Sequence, residues 1–483
     1  MNIKNRNLEI PILAVLTIAV FSFISYLAYI SPGVSGGMDS YNHYLIARYS
    51  WSYPTLFLDQ WGKPIYNLIA SPFVQFGLPG AIVLNMLSLL GCSVLVYKII
   101  QKLNLRYAWL GYIFTLTSPI FLDNTISAIT EPLCALLVIL TLYLYIDKKY
   151  VASAVLAGFL PFARSEGFII LFAIAFFLII VDKRYKTLAY AFVGSLMFNI
   201  LGWAIEGEPF WIITSNPYIN FELSGRNICG SGGLFHYFYA GHYTFGLIAS
   251  LLTALGGVFY AIRFITKGWK TDMGIGLILL CFVLYFGSHV CIWWLGKMGS
   301  CGYVRVMVVI APLAAILMVY GFNYLFAKSD THLGARAKIV KQLTLLFLVI
   351  NTLYVPYRYY SYKYPMHISA EQAEYQKLVT WYETHDFQAR RKIYLYPYFS
   401  ILADINPYDP KEHLDFWAST LQYTQEGDIL IWDGHFGPHE SGTSLQSLET
   451  DSSWNKIHSI VPAIPILTLN DKEFEIHVFE KIK

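Results

Sequence analysis

The stretch EIPILAVLTIAVFSFISYLAYI, Glu9–Ile30, decides the fold class. The stretch MDSYNHYL, Met38–Leu45, follows it after a short linker. A hydrocarbon core about 30 Å thick needs roughly 20 apolar residues in a helix, so Glu9–Ile30 is long enough to cross a bilayer. Asp39 and His43 should then lie at the far face of the membrane. A chain built of apolar segments has little reason to place an acid and an imidazole there unless chemistry or lipid headgroups are involved.

The composition indicates a polytopic membrane protein. Of 483 residues, 56% are hydrophobic and 13% are charged, against about 25% charged residues in soluble domains, and the mean hydropathy is +0.48. A backbone inside lipid must satisfy its own hydrogen bonds, which makes helices the default. Span length and apolar pattern predict about eleven helices, at residues 9–30, 80–101, 107–122, 126–146, 151–164, 166–181, 187–204, 243–262, 273–295, 303–327 and 342–358.

The basic residues predict the orientation, because short cytoplasmic loops carry the excess of Lys and Arg. Every second loop is basic, which predicts an N-terminus inside and a C-terminus outside. We expect the first span to be retained, since it lacks a small-residue cleavage site. The net charge of +3 follows from this topology, and no nucleic-acid partner is expected. The basic residues are Lys4, Arg6, Lys98, Lys102, Arg106, Lys148, Lys149, Lys183, Arg184, Lys186, Arg263, Lys267, Lys270, Lys328, Arg336, Lys338 and Lys341.

Residues 31–79 form the first long loop on the predicted outer face. The loop is rich in Tyr and Trp, which favour the bilayer interface, so we expect one or two short helices along the membrane. Pro64–Gly80 is apolar but is interrupted by Pro72. This pattern fits a partly immersed re-entrant segment better than a full span.

Residues 205–242 form a second long outer loop, which holds His236 and His242. Cys229 lies in this loop and Cys301 in another outer loop. If that compartment is oxidising, the two cysteines could form a disulfide. The sequence leaves the pairing open, because it does not show whether their Cα atoms come close enough.

The composition changes after Tyr359, where charge density becomes ordinary and no 20-residue apolar run remains. We therefore predict a transmembrane domain over residues 1–358 and an extracytoplasmic soluble α/β domain over residues 359–483. Apolar spacing predicts a helix over Glu371–His385. The predicted strands are Lys392–Tyr396, Asp428–Trp432, Ile457–Val461 and Glu473–Phe479.

Asp39 is the main candidate for chemistry. As an ordinary residue it would cap a helix that starts at Ser40, which is a common use of Asp. Capping is compatible with catalysis, because an outward-facing carboxylate at a helix start can act as general base on a hydroxyl nucleophile. His43 lies four residues later and would share a helix face with Asp39.

Arginines at the predicted outer face run against the positive-inside bias, which indicates that they bind an anion there. Arg305, in the first turn of the tenth span, gains nothing there from the helix dipole, and a lipid-linked phosphate would explain it. Lys297 lies close by in sequence. Arg164 could bind a phosphate bidentately. The alternatives are snorkelling of Arg305 to ordinary headgroups and a structural pair of Arg164 with Glu131.

Two further carboxylates, Asp123 and Glu131, flank the outer junction of the third and fourth spans. Glu131 falls within an apolar run, and an ionisable residue at membrane depth is functional by default. A metal site built from Asp39 with His43, His236 and His242 is a further alternative. The chain has no HExxH pattern, so interfacial hydrogen bonding is the simpler role for the histidines.

Five features follow one another along the chain: an Asp soon after the first span, an amphipathic outer loop, Thr-Glu-Pro at the start of the fourth span, Arg-Ser-Glu-Gly, and Gly-Tyr-x-Arg opening a late span. In this order they resemble the membrane-embedded glycosyltransferases of the GT-C fold. More narrowly, the chain looks like bacterial relatives of the GPI-type and protein-type mannosyltransferases. The resemblance covers about residues 9–358, which hold the predicted membrane spans.

The resemblance implies an inverting transfer of a sugar, a mannose-like hexose, from a polyprenyl-phosphate donor to an acceptor hydroxyl. The acceptor would be a lipid, a glycan or a protein outside a bacterial inner membrane. It implies Asp39 as the general base. Many members have two acidic residues in the first loop, whereas Ser40 follows Asp39 here, which argues against a bridging divalent metal; no cofactor is certain, and a divalent metal stays the less favoured alternative. The implied donor-phosphate ligands are Arg305, Arg164 and Lys297, with His43, Asp123, Glu131, His236 and His242 as substrate-binding or supporting residues.

Two other classes of protein stay open. A secondary transporter or flippase of a lipid-linked or small anionic substrate would show charges near the bilayer midplane, whereas the candidates here cluster at the outer face. A non-catalytic scaffold would display its C-terminal domain. In that domain Ile431–Glu440, IWDGHFGPHE, follows a predicted strand. Loops after strands often carry function, so this one either helps to bind the acceptor or forms a turn with buried aromatic residues.

Overall fold

A computed structural model describes residues 3–217, 219, 229–268, 270–327, 335–468 and 472–483. The chain is mainly helical as far as Lys363, and a small mixed sheet follows. The helices of the first part are α1 (Ile3–Ile30), α2 (Met38–Tyr49), α3 (Pro64–Val74), α4 (Leu78–Lys102), α5 (Ala108–Leu116), α6 (Pro119–Thr125), α7 (Glu131–Ile146), α8 (Tyr150–Ala163), α9 (Gly167–Phe176), α10 (Tyr185–Leu188), α11 (Val193–Glu206), α12 (Trp211–Thr214), α13 (His236–Gly241), α14 (Leu247–Lys267), α15 (Met273–Leu295), α16 (Ala311–Ala327) and α17 (Ala335–Lys363).

Short 3₁₀ and π segments lie next to several of these helices. The 3₁₀ turns are Pro54–Leu58, Ala189–Phe192 and Val304–Ile310, and the π turns are Phe177–Val181 and His242–Gly246. Seven helical stretches of the described residues are long and apolar enough to cross a bilayer: Leu8–Ile30, Leu78–Lys102, Tyr185–Glu206, Thr244–Lys267, Met273–Leu295, Val304–Phe326 and Ile339–Arg358. Three shorter apolar helices are Glu131–Ile146, Tyr150–Ala163 and Gly167–Val181.

The predicted span 107–122 is not one helix. It is divided into α5 and α6, and Ser118 between them has an extended ψ of 120°. The reason is Pro119, whose ring disfavours a helical conformation in the preceding residue. The next span begins at Glu131 and not at residue 126, because Pro132 occupies the first turn of α7, where proline is tolerated. Eleven complete membrane crossings therefore stay a prediction.

The helices pack closely where small residues meet. A β-carbon on Gly256 of α14 would lie 2.1 Å from the Leu317 carbonyl oxygen of α16. Such contacts between small residues let helix backbones approach each other in membranes. The 3₁₀ turn before α16 is buried from Val306 onward, so the segment that carries Arg305 has a fixed position.

The C-terminal region, residues 364–483, contains a mixed sheet with the order β2-β1-β3-β5-β4 among its described strands. β1 is parallel to β2 and β3, and β5 is antiparallel to β3 and β4. The strands are β1 (Lys392–Tyr394), β2 (His413–Asp415), β3 (Ile429–Asp433), β4 (Trp454–Ile460) and β5 (Ile476–Lys481). Its helices are α18 (Ala370–Tyr382), α19 (Pro397–Leu402) and α20 (Leu445–Thr450), with short turns at Leu421–Tyr423 and Gly437–Ser441.

Helix α2 joins the two parts of the molecule. Its Tyr41 is buried in the core of the C-terminal region, with its ring 5.1 Å from that of Tyr398, and its hydroxyl accepts a hydrogen bond of 3.2 Å from Gln372. Just before α2, the Gly33 N–H donates to the Met366 carbonyl at 3.0 Å. These contacts hold the helix that carries Asp39 between the helices and the sheet.

Candidate active site between the helices and the sheet

A cavity of about 710 Å³ lies where the C-terminal region meets the helices. Its volume is within the range of sites that bind small molecules. Both parts of the chain supply polar side chains to it. The charged or titratable side chains among them include Asp39, Asp123, Arg305, Lys363, Glu371 and His435.

Asp39 and Arg305 are in direct contact. One terminal nitrogen of Arg305 donates to the Asp39 carboxylate, and the other donates to the Gly36 carbonyl oxygen at 3.1 Å. Helix α2 begins at Met38, so Asp39 lies in the first turn and is not the cap; Gly37 takes that position with φ 56°, a value that favours glycine. The two side chains are 29% and 17% exposed, so a ligand in the cavity can reach both.

A buried ion chain extends from this pair into the helices. It consists of Asp39, Arg305, Glu131, Arg164 and Glu166, which alternate in sign. Nε of Arg305 lies 3.4 Å from Glu131, which lies 2.8 Å from Arg164, and Arg164 lies 2.9 Å from Glu166. Glu131 is only 2% exposed. A buried carboxylate is tolerable when it is paired, so Glu131 both neutralises and orients the two guanidinium groups.

At the far end of the ion chain, Glu166 lies 2.9 Å from Arg164 and 3.7 Å from a ring nitrogen of His289. Arg164 also donates to the Thr130 hydroxyl at 2.8 Å. Arg164 is thus engaged by two carboxylates, including the pair with Glu131 that the sequence left as an alternative. In this arrangement Arg164 supports Glu131, which in turn supports Arg305.

Asp123 forms a second polar centre of the cavity. Its carboxylate accepts hydrogen bonds from Lys363 at 2.6 Å, from the Ser35 hydroxyl at 3.2 Å and from the Tyr364 hydroxyl at 3.2 Å. Asp123 therefore joins α6 to the end of α17. Lys363 was not among the predicted site residues, because the last predicted span ends at residue 358, whereas α17 continues to Lys363.

His43 lies behind the cavity, although it shares α2 with Asp39. Its buried ring stacks on Trp61 with 4.5 Å between the ring centroids. Burial, followed by the charges of Lys63 and of the two arginines of the buried ion chain, lowers the pKa of His43 well below its ordinary value. The ring is therefore neutral and belongs to the packing that supports α2.

Lys63 is a second residue that the sequence analysis missed. It is 4% exposed, and its ammonium group donates to the Gln60 carbonyl oxygen at 2.6 Å. Burial lowers the pKa of Lys63 to about 8, although the charge of Glu166 opposes this shift. Lys63 thus adds positive potential near the buried ion chain.

The segment before Arg305 is fixed by two contacts. Cys229 and Cys301 form a disulfide with their Cα atoms 5.0 Å apart, which answers the question that the sequence left open. His236 makes a hydrogen bond of 2.8 Å to the Gly302 carbonyl oxygen. Both cysteines line the cavity, so the disulfide forms part of its wall beside Arg305.

The other predicted site residues contribute less. Lys297 is exposed in the segment that follows α15, and the side chain of His242 lies outside the described residues. Among the described residues, no group of three or more His, Cys, Asp or Glu side chains could hold a metal ion. The roles of all these residues stay predictions.

No protein-family model matches this chain, and no curated protein matches it either. Solved structures do. The crystal structure of ArnT from Cupriavidus metallidurans bound to undecaprenyl phosphate matches with a TM-score of 0.60 and 11% identity, covering 96% of this chain and 97% of that one. The chain has the fold of ArnT. The apo structure of ArnT from Cupriavidus metallidurans gives a TM-score of 0.57, with the same identity and coverage.

At 11% identity this likeness shows the fold alone, and membership of the GT-C glycosyltransferases stays a prediction. The ArnT fold and the apolar helices identify an integral membrane protein. The narrower resemblance to mannosyltransferases stays a prediction, as do the orientation in the membrane and the domain boundary.

Proposed function

We propose that this protein transfers a sugar from a polyprenyl-phosphate donor to an acceptor hydroxyl. The observation that carries the proposal is the shared cavity of Asp39 and Arg305. It is supported by the fold, which is that of a protein crystallised with undecaprenyl phosphate. A carboxylate beside a guanidinium group supplies a base for the hydroxyl and a cation for the phosphate, the two groups that such a transfer needs.

Arg305 is the residue that we assign to the donor phosphate. Its guanidinium group is planar, permanently charged and suited to bidentate binding of phosphate oxygens. Lys363 adds a second cation to the same cavity. The donor is a phosphodiester with one negative charge, and its phosphate leaves with a second one. Fixed cations stabilise this developing charge more than they stabilise the bound donor, which is what catalysis requires.

Asp39 is the residue that we assign as general base. It takes the proton of the acceptor hydroxyl while that oxygen forms a bond with the anomeric carbon of the sugar. The bond between the anomeric carbon and the phosphate oxygen breaks, and its electron pair leaves with the phosphate. A single displacement of this kind inverts the anomeric configuration. Positioning of the two substrates and electrostatic stabilisation then provide the catalysis.

The contact between Asp39 and Arg305 couples the two roles. A donor phosphate that takes the terminal nitrogen of Arg305 from Asp39 would release the carboxylate to act as base. Arg305 would keep its orientation during this exchange, because Glu131 and the Gly36 carbonyl still hold it. Donor binding would therefore precede activation of the acceptor.

The sugar that we favour is a mannose-like hexose, on the strength of the family resemblance. We place the reaction outside a bacterial inner membrane. The alternating basic loops support that side, and so does the Cys229–Cys301 disulfide, since disulfides persist in oxidising compartments.

The test uses the full chain in proteoliposomes with radiolabelled undecaprenyl-phosphate sugars, mannose and glucose among them, and a membrane extract as acceptor. We expect release of undecaprenyl phosphate and movement of the label into a product. Transfer from a sugar nucleotide without the lipid donor would refute the proposal. Movement of the donor between leaflets with its sugar bond intact would instead support the flippase alternative.

A further inference from the structure

One side of the cavity belongs to the C-terminal region and takes no part in the mechanism above. We call it the sheet wall. It presents carboxylate, carboxamide, imidazole and aromatic groups, and its residues include Glu371, Gln372, Tyr396, His435, Phe436 and Glu440.

The loop after β3 is shaped to present His435. At the end of β3, the Asp433 carboxylate accepts the backbone N–H groups of His435 at 2.9 Å and Phe436 at 2.7 Å. The buried Tyr375 hydroxyl donates to the same carboxylate at 2.7 Å. Because three donors fix Asp433, the loop has a defined shape, as a binding surface requires.

His435 is paired with Glu371 across the wall. Its Nδ1 lies 3.1 Å from both carboxylate oxygens of Glu371, and the two side chains are 26% and 19% exposed. Glu371 lies in the first turn of α18, which a capping box anchors. The pair is thus held rigidly and remains accessible from the cavity.

Aromatic rings support this pair. The Phe436 ring stacks on the His435 ring at 4.6 Å, and the Tyr396 ring lies 5.3 Å from Phe436. A polar pair backed by rings offers fixed hydrogen bonds beside an apolar surface. A ligand with many hydroxyl groups and apolar C–H faces, which is a carbohydrate, matches this combination.

The cavity has room for two ligands. The sugar of the donor must lie beside Asp39 and Arg305, where its bond to phosphate breaks. A volume of about 710 Å³ suits drug-sized ligands, which are larger than one monosaccharide. The sheet wall is therefore available to the second substrate.

A peptide acceptor fits this wall less well. Extended peptides are commonly bound by adding a strand to a sheet edge. The edge strands of the described sheet are β2 and β4, and neither contributes a residue to the cavity lining. The hydrogen-bonding groups of the wall are side chains from α18 and from the loop after β3.

We propose that the sheet wall is the acceptor site and that the acceptor presents a carbohydrate to it, with Glu371 and His435 bound to its hydroxyl groups. This inference rests on the proposed sugar transfer. The carbohydrate could be free or attached to a lipid, and the chemistry of recognition is the same in both cases.

The test measures donor use with and without acceptor, in proteoliposomes that contain the full chain. The probes are oligosaccharides still attached to undecaprenyl diphosphate, the same oligosaccharides after release by mild acid, and a pool of soluble peptides. The variants are Glu371→Gln and His435→Gln. Their matched controls are Glu426→Gln and His458→Gln, which change the same residue types away from the cavity.

We expect oligosaccharides to accelerate the release of undecaprenyl phosphate. Each variant should raise the acceptor concentration at half-maximal rate by about tenfold or more, since each loses hydrogen bonds of a charged group. The KM for the donor and the slow hydrolysis without acceptor should not change. The arm that accelerates at lower concentration identifies the source of the carbohydrate, and either source agrees with the inference.

Three results would overturn the inference. The first is an unchanged acceptor concentration at half-maximal rate in both variants, and the second is a rise in the donor KM. The third is acceleration by the peptides, or a failure of every oligosaccharide to accelerate the release. The proposed function fails separately, if the wild-type protein releases no undecaprenyl phosphate from any donor.

Discussion

The substitution Asp39→Asn tests the assignment of the base. Asn has the size of Asp but cannot accept a proton at neutral pH. Arg305 would keep its contacts to Glu131 and to the Gly36 carbonyl, so its position should be preserved. The Asp39 side chain is 29% exposed, and the amide oxygen of Asn can still accept a hydrogen bond from Arg305. The variant should therefore insert and fold normally.

The expected loss of rate is large. A positioned general base contributes about 10²- to 10⁴-fold to a reaction, which corresponds to about 3–5 kcal/mol of transition-state free energy. The donor should bind as well as before or more tightly, because the phosphate no longer competes with the Asp39 carboxylate for Arg305. A fall in kcat without a rise in the donor KM is the signature of this mechanism.

The assay is single-turnover and steady-state transfer from a radiolabelled undecaprenyl-phosphate sugar in proteoliposomes. Asp386→Asn, at an exposed position of the C-terminal region, serves as the matched control. Thermal unfolding in detergent verifies that both variants are folded. Wild-type turnover in Asp39→Asn would refute the role of the base, and an increased donor KM with unchanged kcat would assign Asp39 to substrate binding.

Three further predictions concern the charges of the cavity. Arg305→Ala should raise the donor KM at least about tenfold through loss of a charged hydrogen-bond donor, and saturation with donor in the same assay measures it. Glu131→Gln should destabilise the protein by about 3–5 kcal/mol, because it leaves Arg164 and Arg305 buried without their shared partner, and thermal unfolding would show this. Burial would lower the pKa of His435, but the hydrogen bond and charge of Glu371 outweigh burial and raise it. The pair should contribute its whole stabilisation below the ordinary His pKa of about 6.5 and lose it as pH rises through the raised pKa. Unfolding experiments across this pH range should show the transition in the wild-type protein and not in Glu371→Gln.

The sequence was informative about the site because topology restricts where charges can lie. Asp39 and Arg305 are far apart in the chain, yet the alternation of basic loops predicts both on one face of the membrane. Their direct contact follows from the position of α2 against the 3₁₀ turn at Val304–Ile310. Glu131 was recognisable as unusual by its apolar surroundings, although only the structure shows that it lies between two arginines.

Other features could not be read from the sequence. Lys63 and Lys363 are single cations in ordinary contexts, and their importance depends on burial and on partners distant in the chain. Strand β2 has three residues, too few for a periodic pattern to emerge. The break at Pro119 was readable in principle, but the apolar residues on both sides favoured one continuous span.

The sheet wall illustrates the same difficulty. The motif Ile431–Glu440 was recognised as dense in polar and aromatic groups, and two roles were left open for it. The partner of His435 is Glu371, more than sixty residues earlier in the chain, and no local pattern connects them. Long-range contacts in a sheet region depend on topology, which single-sequence reasoning predicts poorly.

The Cys229–Cys301 disulfide has a practical consequence for recombinant production. Cys301 lies four residues before Arg305, so a chain purified with thiol reagents would lose the covalent tether next to the residue that we propose binds the donor phosphate. Buffers free of dithiothreitol and expression strains with an intact disulfide-forming pathway should yield more active preparations. Alkylating agents added before solubilisation would report the fraction of molecules that had matured.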